Sequence, residues 1–328
     1  MGYGHWDDNA YAASKTFRAA KGEDDFGYTA SLRGRPSDEW KVAPQLDPRG
    51  AVRECRDSTD HADSTPIAVL FDVTGSMRRV PRVMQGKLGK LHGLLKRKGY
   101  LADPQILFGA IGDADSDRVP LQVGQFESDN RMDEQLRQIF LEGGGGGQKS
   151  ESYELAAYFM ARHVVTDAWR KRGRKGYLFI VGDELNKPAL TSKHIRAVIG
   201  DDVHEDIDPA SVYRELARKW HVHYVLPNQS SYYNDPDIAE HWADLLGQGF
   251  LKLDDPGAVC ELIAAAIGIQ EQAVDLDQAL VDLADIGSVA ERAAVGKALV
   301  RVGAGVAAAP ARTSTLPDLT GPTDVALR

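Results

Sequence analysis

The sequence predicts a doubly wound α/β fold: a mostly parallel six-stranded sheet with one antiparallel edge strand, flanked by an N-terminal arm and C-terminal helices. Three observations predict it. Short apolar runs alternate with helix-periodic segments between residues 66 and 270, the pattern that builds parallel sheets. The runs are apolar without a break, as befits strands covered on both faces. One pair of runs, residues 105–112 and 119–126, is joined by a turn too short for a parallel crossover. The second of that pair must therefore be antiparallel, and Pro120 places it at the sheet edge.

The elements follow in order. Residues 1–65 are rich in Gly, Asp, Arg and Pro, with one helix expected near residues 10–20. They read as an arm or cap pinned by Trp6, Tyr11, Phe17 and Trp40, because aromatics in such segments serve as anchors. The first strand is the run Ile67, Ala68, Val69, Leu70, Phe71. Val80, Val83, Met84, Leu88, Leu91, Leu94 and Leu95 then recur at helical spacing. After the strand pair come a helix around Met132, Leu136, Ile139 and Phe140, five glycines at 143–147, and a helix over 152–165. Strands at 177–181, 221–226 and 250–253 alternate with helices at 191–199, 209–220, 238–246 and 258–269. Beyond residue 270 two more helices are expected, the second opened by a capping box, Ser288 to Glu291. The division that results is an arm at 1–65, an α/β domain at 66–270, helices at 271–302, and a disordered tail at 303–328.

Composition narrows the function. A formal charge of -9 argues against a general nucleic-acid or anionic-membrane binder. The two cysteines, Cys55 and Cys260, stand in no metal-ligand or redox spacing and read as inert thiols in a reducing cytosol. The first residues carry no charged-then-apolar signal, and Trp6 stands where a myristoylation site requires Ser or Thr. The longest apolar run, 262–269, is too short to span a membrane. A cytoplasmic protein is expected.

The chemistry gathers where the first strand ends. Asp72, Thr74 and Ser76 present one carboxylate and two hydroxyls, with Gly75 between the hydroxyls. These are hard oxygen donors, suited to Mg²⁺ or Ca²⁺ rather than zinc. A strand feeding a polar loop and then a helix is where open α/β sheets place their sites. Helix capping would explain these three residues equally well. Asp72-Val-Thr74-Gly-Ser76 resembles the Asp-x-Ser/Thr-x-Ser motif of von Willebrand factor type A (vWA) domains, over roughly residues 66–270. There it forms part of a metal-ion-dependent adhesion site, or MIDAS.

The resemblance implies a hydroxyl from a second loop and an acid past the fourth strand. Ser152 and Asp183 match those places, with Ser150 the alternative to Ser152 and serine standing where the family has threonine. The implied ligand set is Asp72, Thr74, Ser76, Ser152 and Asp183, holding Mg²⁺, with Mn²⁺ or Ca²⁺ possible. Few direct charges would leave such an ion electrophilic, ready for a carboxylate from a partner protein. The resemblance further implies a non-enzymatic bacterial cytoplasmic module, working beside a MoxR-type AAA+ ATPase. A haloacid-dehalogenase-like phosphatase using Asp72 is the enzymatic alternative, disfavoured because its second acid is replaced by Thr74. A metal-free scaffold is the third reading.

Other features read as structural. Asp113, Asp115 and Asp117 lack the glycine and glutamate of an EF-hand loop and are expected to form a solvated turn. The basic run 170–175 is expected to be a solvated turn at the opposite edge. His194, His204, His221 and His223 show no zinc spacing. Tyr232 and Tyr233 either pack their own loop down or face an interface.

Overall fold

The computed structural model describes residues 4–144 and 149–307. Ser64–Asp72 (β1) is buried at every position. Ile67, Val69 and Phe71 face one core, and Ala68 and Leu70 face the other. A strand with no solvated face has no reason to alternate, hence the unbroken apolar run. Asp103–Ile111 (β2), Leu121–Val123 (β3), Gly176–Val181 (β4), Trp220–Pro227 (β5) and Phe250–Leu253 (β6) complete the sheet. Its order is β6-β5-β4-β1-β2-β3. Every pairing is parallel except β2 with β3, so the edge strand lies where the short turn required. The fold is thus the expected doubly wound α/β type, mostly parallel with one antiparallel edge strand.

The strand order fixes where a site can form. The chain builds outward from β1 to β2 and β3, then returns to the other side of β1 for β4. Connections leave the carboxyl ends of β1 and β4 in opposite directions, which opens a crevice between them. Asp72 ends β1, and Asp183 lies two residues beyond the end of β4.

Helices cover both faces. Arg79–Arg97 (α3), Val259–Gln270 (α9), Leu276–Asp282 (α10) and Val289–Ala307 (α11) enclose the core of Ile67, Val69 and Phe71. Tyr153–Arg162 (α5), Pro209–Leu216 (α7) and Pro236–Leu246 (α8) enclose the other. The expected capping box opens α11: the Ser288 N–H donates to Glu291 Oε2 at 2.8 Å, and the Glu291 N–H donates to Ser288 Oγ at 3.1 Å. That helix continues to Ala307, past the expected limit at residue 302. The rest of the tail, 308–328, and Gly145 to Gly147 of the glycine run lie outside the described residues.

The arm is built into the molecule. Asp8–Lys21 (α1) is the expected helix, capped by the Asp7 carboxylate. Gly27–Arg33 (α2) was not signalled by any period in the sequence. Tyr11, Phe26, Ala43 and Leu46 enter the first core, and Trp6 packs against it. Trp40 meets Phe140 with ring centroids 5.1 Å apart. Phe17 is the exception among the four expected anchors, 58% exposed.

Two expectations are overturned. The helix expected over 152–165 ends at Arg162, and Val164–Thr166 forms a strand parallel to Arg53–Cys55 of the arm. Its β-branched Val-Val-Thr run suits a strand once the arm supplies a partner. The basic run 170–175 is not simply solvated. Arg172 pairs with Asp57 at 2.7 Å and Asp63 at 2.9 Å, and Arg174 with Asp63 at 2.8 Å and Glu271 at 3.2 Å. The acids come from the arm and from the end of α9, which no local pattern reveals.

Candidate metal centre

After β1 the backbone turns sharply around its own acid. Asp72 Oδ1 accepts the Thr74 N–H at 2.7 Å and the Thr74 hydroxyl at 2.5 Å. Asp72 Oδ2 accepts the Tyr153 hydroxyl at 2.7 Å. A short 3₁₀ turn, Gly75–Met77, carries the chain into α3. Within it, Ser76 Oγ lies 3.5 Å from Thr74 Oγ1 and donates to Asp183 Oδ1 at 3.1 Å. Four of the five expected residues, Asp72, Thr74, Ser76 and Asp183, therefore form one hydrogen-bonded cluster at the β1/β4 crevice.

The described glycines of the 143–147 run lie directly over this turn. Gly75 N–H donates to Gly144 O at 2.6 Å, and Gly143 N–H donates to Val73 O at 3.1 Å. A Cβ on Gly75 would stand 3.1 Å from Gly144 O and 3.4 Å from Gly143 O, so a larger residue there would press on the 143–144 backbone. Gly143 takes φ +68°, a conformation open to glycine at no steric cost.

Ser152 is placed differently. It is buried, but its hydroxyl accepts the Ala114 N–H at 2.9 Å and so ties the second loop to the β2–β3 turn. Ser150, the alternative, pairs with Leu185 in a two-residue ladder, and Glu151 pairs there with Asn186.

Electrostatically the site is a concentration of buried acid. Burial raises the pKa of Asp72, and the neighbouring Asp183 raises it further, against the Thr74 and Tyr153 hydrogen bonds. Asp183 is likewise pushed up by burial, against bonds from Ser230 and Ser76. Its Oδ2 is buried without a partner among the described residues.

Two acids not assigned from the sequence join them. Glu151 is 2% exposed and Glu184 is 7% exposed, and Oε2 of each has no partner among the described residues. Burial, then Asp72, pushes Glu151 far up. Burial, then Asp72 and Asp183, pushes Glu184 to about 8. Both adjoin residues already assigned to the site edge, so the sequence carried their position but not the direction of their side chains.

The turn at 113–117 is not the solvated loop expected. Asp113 is buried with Lys187 Nζ at 2.8 Å. Asp115 bridges Lys187 at 3.2 Å and His194 Nε2 at 3.1 Å. Lys187, just past Asp183, supplies the counter-charge that makes burial of Asp113 tolerable. In the loop after β5, Tyr233 is buried with its hydroxyl on Asp254, so it packs the loop down.

Among the described residues, no three His, Cys, Asp or Glu side chains are gathered as a ready-made cage. The donors that do cluster are carboxylates and hydroxyls, the chemistry of a hard cation with few direct charges. An unpartnered buried carboxylate oxygen beside a second buried carboxylate is costly without a counter-charge. The residues present therefore fit a divalent ion.

No protein-family model and no curated protein matches the sequence. Among solved structures, the chain is similar to the pilus adhesin SpaC from Lactobacillus rhamnosus GG in its open conformation. Identity is 9% and the TM-score 0.44, over 66% of this chain and 31% of that one. It is also similar to proximal thread matrix protein 1 from the mussel byssus, with 8% identity and a TM-score of 0.42, over 69% of this chain and 47% of that one. A form of the mussel protein with a zinc-occupied MIDAS motif gives 11% identity and a TM-score of 0.40, over 66% and 48% of the two chains. This chain spans less than half the length of each. Among the described residues, no helix is long and apolar enough to cross a membrane.

Proposed function

We propose that this chain is a divalent-metal-dependent protein-interaction module, with Asp72, Thr74, Ser76 and Asp183 as the core of its ion site. The observation that carries the reading is the buried cluster itself, in which Asp72 and Asp183 meet the Thr74 and Ser76 hydroxyls at the topological switch point, and Asp183 Oδ2 has no partner among the described residues. Thr74 and Ser76 offer neutral hydroxyls, while Asp72 and Asp183 hold the ion's waters or contact it directly. Mg²⁺ is the ion we propose, with Mn²⁺ or Ca²⁺ as substitutes. When bound, the ion supplies an electrophilic centre for a partner's Asp or Glu. The finer reading is a bacterial cytoplasmic adaptor for a MoxR-type AAA+ ATPase, its interaction domain spanning residues 66–270.

The module is proposed to be non-enzymatic, because Thr74 occupies the place where a phosphatase of similar layout needs its proton donor. A phosphate-ester assay is expected to show no turnover that depends on both metal and Asp72. The main test compares thermal unfolding in Mg²⁺, Mn²⁺ and EDTA for wild type and Asp72→Ala. Ligand that binds only the folded state stabilises it by mass action, so metal is expected to raise the wild-type midpoint and leave the variant unmoved. A pull-down with and without EDTA would then identify the partner.

A further inference from the structure

The second loop poses a choice that the motif does not resolve. Ser152 stands at the hydroxyl position, yet its Oγ is already engaged by the Ala114 N–H at 2.9 Å. That bond occupies one of the two lone pairs of Oγ and fixes the hydroxyl toward the β2–β3 turn. Glu151, one residue earlier, has the opposite character. It is 2% exposed, and its Oε2 has no partner among the described residues. A buried carboxylate oxygen in that condition calls for a cation or a donor.

Its backbone is held in place. Residues 150–151 pair in parallel with 185–186, so the second loop is clamped to the segment that follows Asp183. On the other side, Tyr153 reaches Asp72 Oδ2 through its hydroxyl at 2.7 Å. Glu151 thus sits between two anchors that both lead to the ion site. After burial, the Asp72 charge acts on it most strongly.

We propose that Glu151, not Ser152, is the group that the second loop gives to the ion. This rests on the metal-site reading above. In the structure the acids do not yet converge as a cage, so the Glu151 carboxylate turns inward when an ion enters. Its hydroxyl neighbour keeps the loop fastened to the β2–β3 turn. A third carboxylate makes the centre more anionic than one built on hydroxyls, so the ion is held more tightly and pulls less strongly on an outside acid. Glu151 would then be the specificity-determining residue of the site.

The test titrates Mn²⁺ into the full chain and follows water-proton relaxation, which reads both affinity and the number of exchanging waters on the ion. Wild type, Glu151→Gln and Ser152→Ala are compared after thermal melts establish that each is folded. Glu151→Gln keeps the shape and removes a buried charge, so it is expected to fold. It is expected to bind Mn²⁺ about tenfold more weakly or worse, since losing even an outer partner of a ligand costs that much. The ion should also carry one more water, because a lost ligand is replaced. Ser152→Ala should stay within about twofold of wild type.

Two results would overturn the assignment. One is a tenfold loss in Ser152→Ala with Glu151→Gln near wild type. The other is weaker binding in Glu151→Gln with an unchanged water number, which would mean that Glu151 acts only through space. If wild type itself takes up no Mn²⁺, the metal reading falls along with the assignment, and that outcome is distinct from the other two.

Discussion

At the scale of single residues, the molecule separates groups whose burial is compensated from groups whose burial is not. Lys187 on Asp113 belongs to the first kind, and Asp183, Glu151 and Glu184 to the second. His223 shows how burial alone sets a titration. It is buried in β5, stacked on Phe179 at 4.8 Å, with Nε2 3.2 Å from Gln270 Oε1. Burial lowers its pKa from 6.5 to about 4. The folded state therefore prefers neutral imidazole. That contribution is fully present above pH 6.5 and is lost as pH falls through about 4. A shift of this size corresponds to roughly 3 kcal/mol at most. His223→Gln should flatten the stability profile between those pH values, measured by urea unfolding. An unchanged slope in the variant would show that other groups carry the acid sensitivity.

At the scale of elements, the site is a strand, a sharp turn and a helix, closed from above by glycine backbone. The contact between Gly75 and Gly144 sets a narrow tolerance. Gly75→Ala should push the 143–144 segment away, at the cost of about 1–3 kcal/mol typical of overpacking. It should also weaken metal binding, and the two effects are read by melts with and without Mn²⁺.

This is also the scale at which the sequence was most readable. The strands were legible because burial on both faces leaves an unbroken apolar run, and Pro120 with its short turn marked the antiparallel edge. Asp72, Thr74, Ser76 and Asp183 were legible because strand ends fix where residues go. The contacts of the second loop were not legible, since they depend on the ladder to 185–186 and on the Ala114 amide that Ser152 accepts, both set by distant chain. For the same reason Val164–Thr166 read as helix: its strand partner lies in the arm.

At the scale of the whole molecule, residues 4–65 are part of the folded body. Arg18 is 2% exposed and grips Asp133 at 2.8 and 3.2 Å, while Gln85 of α3 donates to the same carboxylate at 2.9 Å. Arg18→Ala would leave Asp133 buried without its cation. A loss of about 3–5 kcal/mol is expected, measured by urea unfolding. A loss under 1 kcal/mol would mean that the arm is only loosely attached.

We propose that the buried acids at the β1/β4 crevice are arranged for a divalent ion. The most direct measurement is thermal unfolding of wild type and Asp72→Ala, each in millimolar Mg²⁺ or Mn²⁺ and in EDTA. At an ion concentration a hundredfold above Kd, wild type should gain about 2.7 kcal/mol and Asp72→Ala should gain nothing. Identical melting of wild type in metal and in chelator would contradict the account.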